Sequence, residues 1–581
     1  MTTPVLPTPE GAARMAQAGP GPAAGARRAA SRATWLIAFP VLAILFWTVV
    51  YPNLHVIAGS FEGGLGHWRE FAASPADREA LASTLIISFA SVIAASLIGI
   101  PLAFLLTRVE FRGRLALAAV ATLPAALPPL VGVVAFLFLY GESGVVTRTI
   151  QHVLRLERPP WSFTGMWAII VVHAYTMYVY VFLFVSAGLE RLDASLDDAA
   201  AGLGAGRSLR LRRITLPLLT PAIAGAMLLV FMSSLGSFSA PYVFGGGMRV
   251  LSTQILNSKL SGAMGLAFVE TTVLALSAIA ALSLLRWFEG RRRYTLSGKG
   301  GAARLVLRSP VARWLGPAAA LVLVTLLVLP HAMVGLVAFA RDGAWTTQIL
   351  PPEYTLDNVR SLATETRLWT PIRNSISMAA IATMANLVIC FLAAYLIVLR
   401  RFSGRRLLEV LVALPWAIPA TAIAIGLAST FDRNDPAAAR LLLVGTFWIL
   451  PLAYFIRGIP LVATAVEGSL KQMDPSLEDA ARGLGASWWL TMRHVVLPAA
   501  RPGLIAGGML AAITAVGEFV ASIVLYTHAN RPISMEILAQ LRAFAFGTAA
   551  AYSVILILIV LVITTIGRLG SFSRAASRLP Q

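Results

Sequence analysis

Long apolar runs alternate with short polar segments along the whole chain. About twelve of these runs reach eighteen residues or more, the length a helix needs to cross a bilayer. In the first part of the chain they fall near 33–52, 81–107, 115–140, 163–187, 220–244 and 266–288. In the second part they fall near 312–340, 374–399, 407–430, 440–462, 502–526 and 548–570. The pattern predicts an all-α polytopic membrane protein. Its domains are a disordered tail over 1–32, a six-span half over 33–295, a linker over 296–311 and a second six-span half over 312–581. An even number of spans per half gives both halves the same orientation, so they are parallel repeats.

Composition agrees. Of the 581 residues, 57% are hydrophobic and only 13% charged, with a mean hydropathy of +0.76, against about 25% charged in a soluble protein. The net charge of +20 raises nucleic-acid binding, but the arginines gather in alternate loops. Arg27, Arg28 and Arg32 precede the first run; Arg108, Arg112 and Arg114 follow the second; Arg400, Arg401, Arg405 and Arg406 follow the eighth. The positive-inside rule accounts for that excess, excludes nucleic acid as the partner and places both termini in the cytoplasm of a multi-pass inner-membrane protein. The tail's Arg27-Arg28 lacks the apolar residues a twin-arginine export signal places soon after the pair, so the first run reads as an uncleaved span. The lone Cys390 lies in an apolar run and reads as a packing residue.

One polar segment occurs twice, 281 residues apart. LDASLDDAAAGLGAGRSLRLRRITLPLLTP spans 192–221, MDPSLEDAARGLGASWWLTMRHVVLPAARP spans 473–502, and 15 of the 30 aligned positions are identical. In the second copy Asp474 can cap a helix with a narrow apolar face of Leu477, Ala480, Ala481 and Leu484, and the first copy repeats that face with Leu196, Ala199, Ala200 and Leu203. Gly204 or Gly485 ends that helix in a left-handed turn, and a second helical segment follows. A polar loop kept in register in both halves implies two equivalent docking points for a partner with two-fold symmetry.

These residues resemble the cytoplasmic "EAA" loop of permease subunits of bacterial ABC importers. The pattern is met by Asp198, Ala199, Ala200, Gly204, Ile214, Leu216 and Pro217, and again by Asp479, Ala480, Ala481, Gly485, Val495, Leu497 and Pro498. Asp stands for the family's Glu in both copies and Val495 for Ile. The resemblance implies a fold of the type I importer permease, with the loops as coupling helices docked in two copies of an ABC ATPase. It also implies an external solute-binding protein on the opposite face. ATP and magnesium would act on the ATPase, since this chain has no phosphate-binding loop: of its three lysines only Lys299 follows a glycine, and Gly300 succeeds it. The chain itself would hold no cofactor or metal and would not be an enzyme.

Two fused halves of six spans resemble the iron(III)-type importers, which implies ferric iron as the solute. Related permeases handle thiamine, 2-aminoethylphosphonate or polyamines. A twelve-helix secondary transporter is the alternative class. It would need intramembrane ionisable groups, and the candidates His173, Glu270, Arg457 and Glu518 form no obvious relay. Ser237, Ser239 and Glu518 are the candidate lining of a translocation path.

Overall fold

The computed structural model describes residues 22–126, 128–291, 310–345, 348–474 and 476–572. The first ten helices used below are α1 (Pro22–Leu45, continuing through a widened turn to Gly59), α2 (Pro75–Arg108), α3 (Arg114–Ala121), α4 (Pro129–Tyr140), α5 (Gly165–Glu190), α6 (Ala194–Gly202), α7 (Leu216–Leu235), α8 (Ser239–Phe244), α9 (Leu251–Leu260) and α10 (Met264–Arg291). The rest are α11 (Pro310–Val337), α12 (Thr366–Leu399), α13 (Arg405–Ala417), α14 (Ala420–Thr430), α15 (Ile449–Leu470), α16 (Ser476–Gly483), α17 (Leu497–Val516), α18 (Val520–Leu525), α19 (Ile533–Arg542) and α20 (Phe546–Phe572). Among the described residues eleven helices are long and apolar enough to cross a membrane, and the bent pair α13–α14 reaches that length and apolarity only when its two helices are taken together. The protein is an all-helical polytopic membrane protein; the described residues hold one isolated β-bridge, Ala340 with Tyr354.

Several expected spans are broken rather than straight. The run over 407–430 turns by 107° between α13 and α14. Ile418, ahead of Pro419, is extended with φ −103° and ψ 124°, as a residue before proline is pushed to be. The run over 115–140 likewise breaks between α3 and α4, where Pro128, ahead of Pro129, has φ −58° and ψ 137°. The runs over 220–244 and 502–526 break at Gly236–Phe238 and Gly517–Phe519, and the run over 440–462 becomes helical only at Ile449. Of the expected tail, 1–21 lies outside the described residues. The alanine-rich stretch after it, a strong helix former, begins α1 at Pro22 rather than staying irregular to residue 32. Residues 296–309 of the expected linker lie outside the described residues, and 310–311 open α11.

In α2 the usual amphipathic order is inverted. Phe89, Ile93 and Leu97 are exposed at four-residue spacing, the face for lipid, while Ser88, Ser91, Ala95 and Gly99 are buried. Small residues let two helix backbones approach: a Cβ on Gly99 would lie 2.7 Å from Tyr178 O and from Val181 Cβ of α5.

The first helices are exchanged. α11 packs on α3 and α4, and α1 with its extension packs on α12, α13 and α14. Polar ties follow the exchange: the Tyr175 hydroxyl donates to Leu327 O at 2.8 Å, and Trp47 Nε1 to Ala437 O at 3.2 Å. At the seam Gly517 lies against Pro128, and Gly236 against Pro419, so the breaks of the two parts meet each other.

Candidate functional site

Both repeated segments fold alike. Asp193 Oδ1 accepts from Ser195 N–H and Asp474 Oδ1 from Ser476 N–H, each at 2.9 Å, which holds both carboxyls below their usual range. Helices α6 and α16 then end in matching motifs. Ala205 N–H bonds to Ala200 O and Gly204 N–H to Ala201 O; Ala486 N–H bonds to Ala481 O and Gly485 N–H to Arg482 O. Both glycines have φ +81°, the left-handed conformation this double bond requires. Each chain then enters its span through a wide turn, in which Leu216 N–H reaches Leu211 O and Leu497 N–H reaches Met492 O. Pro217 and Pro498 stand just after those turns, where each lacks an N–H to continue the regular ladder.

Of the residues singled out by the repeat, Asp198, Ala199, Asp479 and Ala480 are exposed on the helices, with Ala200 and Ala481 half-buried beside them. Gly204 and Gly485 are exposed at the turns. Ile214, Leu216, Pro217, Val495 and Pro498 are half-buried where the segment joins the bundle, and Leu497 is 41% exposed. The tips carry Leu203 at 89% and Leu484 at 90% exposure, flanked by Leu196 and Leu477. Bare leucines thus stand at equivalent places on the two polar loops.

The segments are anchored differently. Asp197 pairs with Arg210 of its own loop at 2.8 Å. Its counterpart Glu478 is buried and pairs with Arg482 at 2.6 Å and with Arg400, past the end of α12. Arg400 Nε donates to the Tyr395 hydroxyl at 2.9 Å, and that hydroxyl also accepts from Trp488 Nε1 at 3.0 Å. The segment's own EAA-type residues gave no sign of this tether.

At the seam lies a cavity of about 230 Å³, whose lining includes Ser239, Thr176, Tyr175, His331, Arg457 and Glu518. Arg457 Nε lies 2.7 Å from Glu518 Oε2. The expected path residues separate here. Ser239 and Glu518 share the cavity, whereas Ser237 turns away to bond His173 Nε2 at 2.8 Å. His173 is further held at Nδ1 by Ser91 and Ser234, each at 3.0 Å, so it serves helix packing. The Arg457–Glu518 pairing and the His331 wall escaped sequence reasoning because they join residues far apart in the chain. The available signal was the contrast of Gly517-Glu518-Phe519 with Gly236-Ser237-Phe238: an acid introduced at a break needs a partner.

The family described as binding-protein-dependent transport system inner membrane component matches residues 95–294 and again 385–570. The chain belongs to that family. It is the permease component of an ABC importer, a translocation component and not an enzyme, and the secondary-transporter alternative falls away. The probable ABC transporter permease protein y4fN of Sinorhizobium fredii is 29% identical to this permease over 472 residues, covering 81% of this chain and 83% of the relative. The ferric transport system permease protein FbpB of Actinobacillus pleuropneumoniae is 26% identical over 541 residues, 90% of this chain and 76% of the relative. The sulfate transport system permease protein CysT of Escherichia coli is 33% identical over 202 residues, 33% of this chain and 73% of the relative.

Proposed function

We propose that this permease forms the membrane passage for a solute handed over by one external binding protein, with both termini and both repeated segments on the cytoplasmic side. Two copies of an ABC ATPase, which carry the ATP and magnesium, dock at 193–217 and 474–498. The observation that carries this reading is the matched pair of capped helices, left-handed glycine turns and bare leucines on the two segments. The passage runs through the seam, with Ser239 and Glu518 on its wall. The solute is ferric iron: support comes from the relative named for ferric transport, which aligns with 90% of this chain, whereas the sulfate relative aligns with 33%.

Mass measurement of the solubilised assembly tests the partner count. It should give one permease to two ATPases, and a stable complex with a single ATPase would contradict the two docking points. Uptake of radioactive iron(III) into vesicles holding that assembly tests the solute; iron left outside while ATP is consumed in response to the loaded binding protein would remove iron and keep the importer.

A further inference from the structure

We infer that the seam cavity is a subsite for an oxyanion group, recognised by the guanidinium fork of Arg457 with Glu518 as its positioning residue. The inference rests on the passage reading above and deepens it by naming the chemistry the passage accepts.

Glu518 is already satisfied. Oε1 accepts from Ala521 N–H at 3.1 Å, which ties the carboxylate to the first turn of α18, and Oε2 faces Arg457 at 2.7 Å. The break that carries Glu518 is fixed in turn, because its backbone carbonyl accepts from the Ser522 and Ser534 hydroxyls at 2.6 and 2.9 Å. The Glu518 side chain is 5% exposed and that of Arg457 is 29% exposed, so the cation, not the acid, is the more open member of the pair.

Arg457 is the opposite case. The buried Nε–H points off the line to Oε2, so the contact is ionic without being a straight hydrogen bond. No hydrogen-bond acceptor meets any N–H of this guanidinium among the described residues. A guanidinium brings five donors in a rigid fork that matches the paired oxygens of phosphate, phosphonate, sulfate or carboxylate. Fixed by charge at one edge and unbonded elsewhere, the fork lacks the oxygens it is shaped for. The Ser239 hydroxyl, also without a partner among the described residues, lines the same cavity. Among the described lining residues Glu518 is the one carboxylate, and Arg457 occupies it. A bare metal cation would meet a guanidinium there, whereas an oxyanion would meet donors.

The feature is built into one part of the chain. At the positions 281 residues earlier stand Thr176 and Ser237, and Thr176 bonds its own helix at Val172 O, 2.9 Å away. The passage thus has one charged wall facing one neutral wall, so an oxyanion is held from one side and can be released when the seam parts.

Inorganic phosphate is the probe. The full chain, solubilised with its ATPases, should broaden the ³¹P signal of phosphate saturably. In Arg457→Gln/Glu518→Gln, which removes both charges together and leaves neither orphaned, the affinity should fall at least about tenfold. Arg457→Lys, which keeps the charge without the fork, should fall between the two. No saturable binding to the wild type, or equal binding in the double variant, overturns the inference. Uptake into vesicles separates the sources of the oxyanion. Dependence of iron(III) uptake on added phosphate makes it a ligand carried on the metal, and uptake of phosphate alone makes it the solute; wild-type uptake of both by the double variant overturns the inference. Ser239→Leu narrows the cavity without removing either charge. If it imports at the wild-type rate, the seam is not the passage. If it blocks import while the double variant still binds phosphate normally, only the oxyanion subsite is lost.

Discussion

Gly485 stands at φ +81° with nothing within 4 Å of where a Cβ would sit. Any cost of substitution there is therefore backbone strain and not a clash. A β-branched residue is a genuine outlier in that region, with a cost of about 1–3 kcal/mol, whereas Asn tolerates it. Gly485→Val should shift the turn that presents Leu484, so that solute uptake and ATPase stimulation fall together while yield in the membrane stays near normal. Gly485→Asn should retain most of both. Vesicle uptake and ATPase assays on the same preparations check this, and wild-type uptake by Gly485→Val with the ATPase bound would show that the loop does not couple. This glycine was legible from the sequence alone, since the repeat fixed its register and the helix before it required a left-handed end. Arg457 was not legible in the same way. Its meaning depends on Glu518, which lies in another span, and no local pattern reports a contact between spans.

Among the elements, the contact between α2 and α5 depends on small residues facing inward. Gly99 permits the backbone of α2 to pass Tyr178 O and Val181. Gly99→Leu would overpack that contact, typically at about 1–3 kcal/mol. Because both helices lie in lipid, no hydrophobic force from water compensates for the lost fit. The midpoint of thermal unfolding in detergent should drop, and Ile93→Ala, on the lipid-facing side of the same helix, should leave it nearly unchanged; equal shifts would mean that the contact is not tight. Apolar length identified the long helices well, because length is the one property a bilayer demands of a span. It missed the bends between α13 and α14 and between α3 and α4, since a proline inside an apolar run leaves the hydropathy almost unaltered while removing a backbone donor. The break between α3 and α4 and the break at Gly517–Phe519 line the cavity, so the part of the site least visible in the pattern is the part made by the breaks.

Across the whole molecule, the exchange of first helices makes each part complete the other. α11 covers α3 and α4, and the extension of α1 covers α14. The ties across the exchange, Tyr175 to Leu327 and Tyr51 to Asp435 at 3.2 Å, do not run through the connecting stretch at 296–311. Where two segments already interlock, the length of the stretch that joins them matters little, because loop-closure entropy grows only slowly with length, by about 0.6 kcal/mol per doubling. Two chains produced together, 1–300 and 301–581, should therefore assemble and co-purify as one complex. Either chain alone should be degraded or aggregate, since its partner-covered surfaces would be bare and, in the first chain, the Tyr175 hydroxyl would lose both its partners, Leu327 O and His331 Nδ1, in lipid, where no water replaces them. Affinity purification through a tag on one chain, with the other detected by its mass, is the measurement. A first chain that is stable and monodisperse alone would show that the exchange contributes little to the fold. Failure of the pair to assemble, with both chains inserted, would show that the covalent connection is itself required.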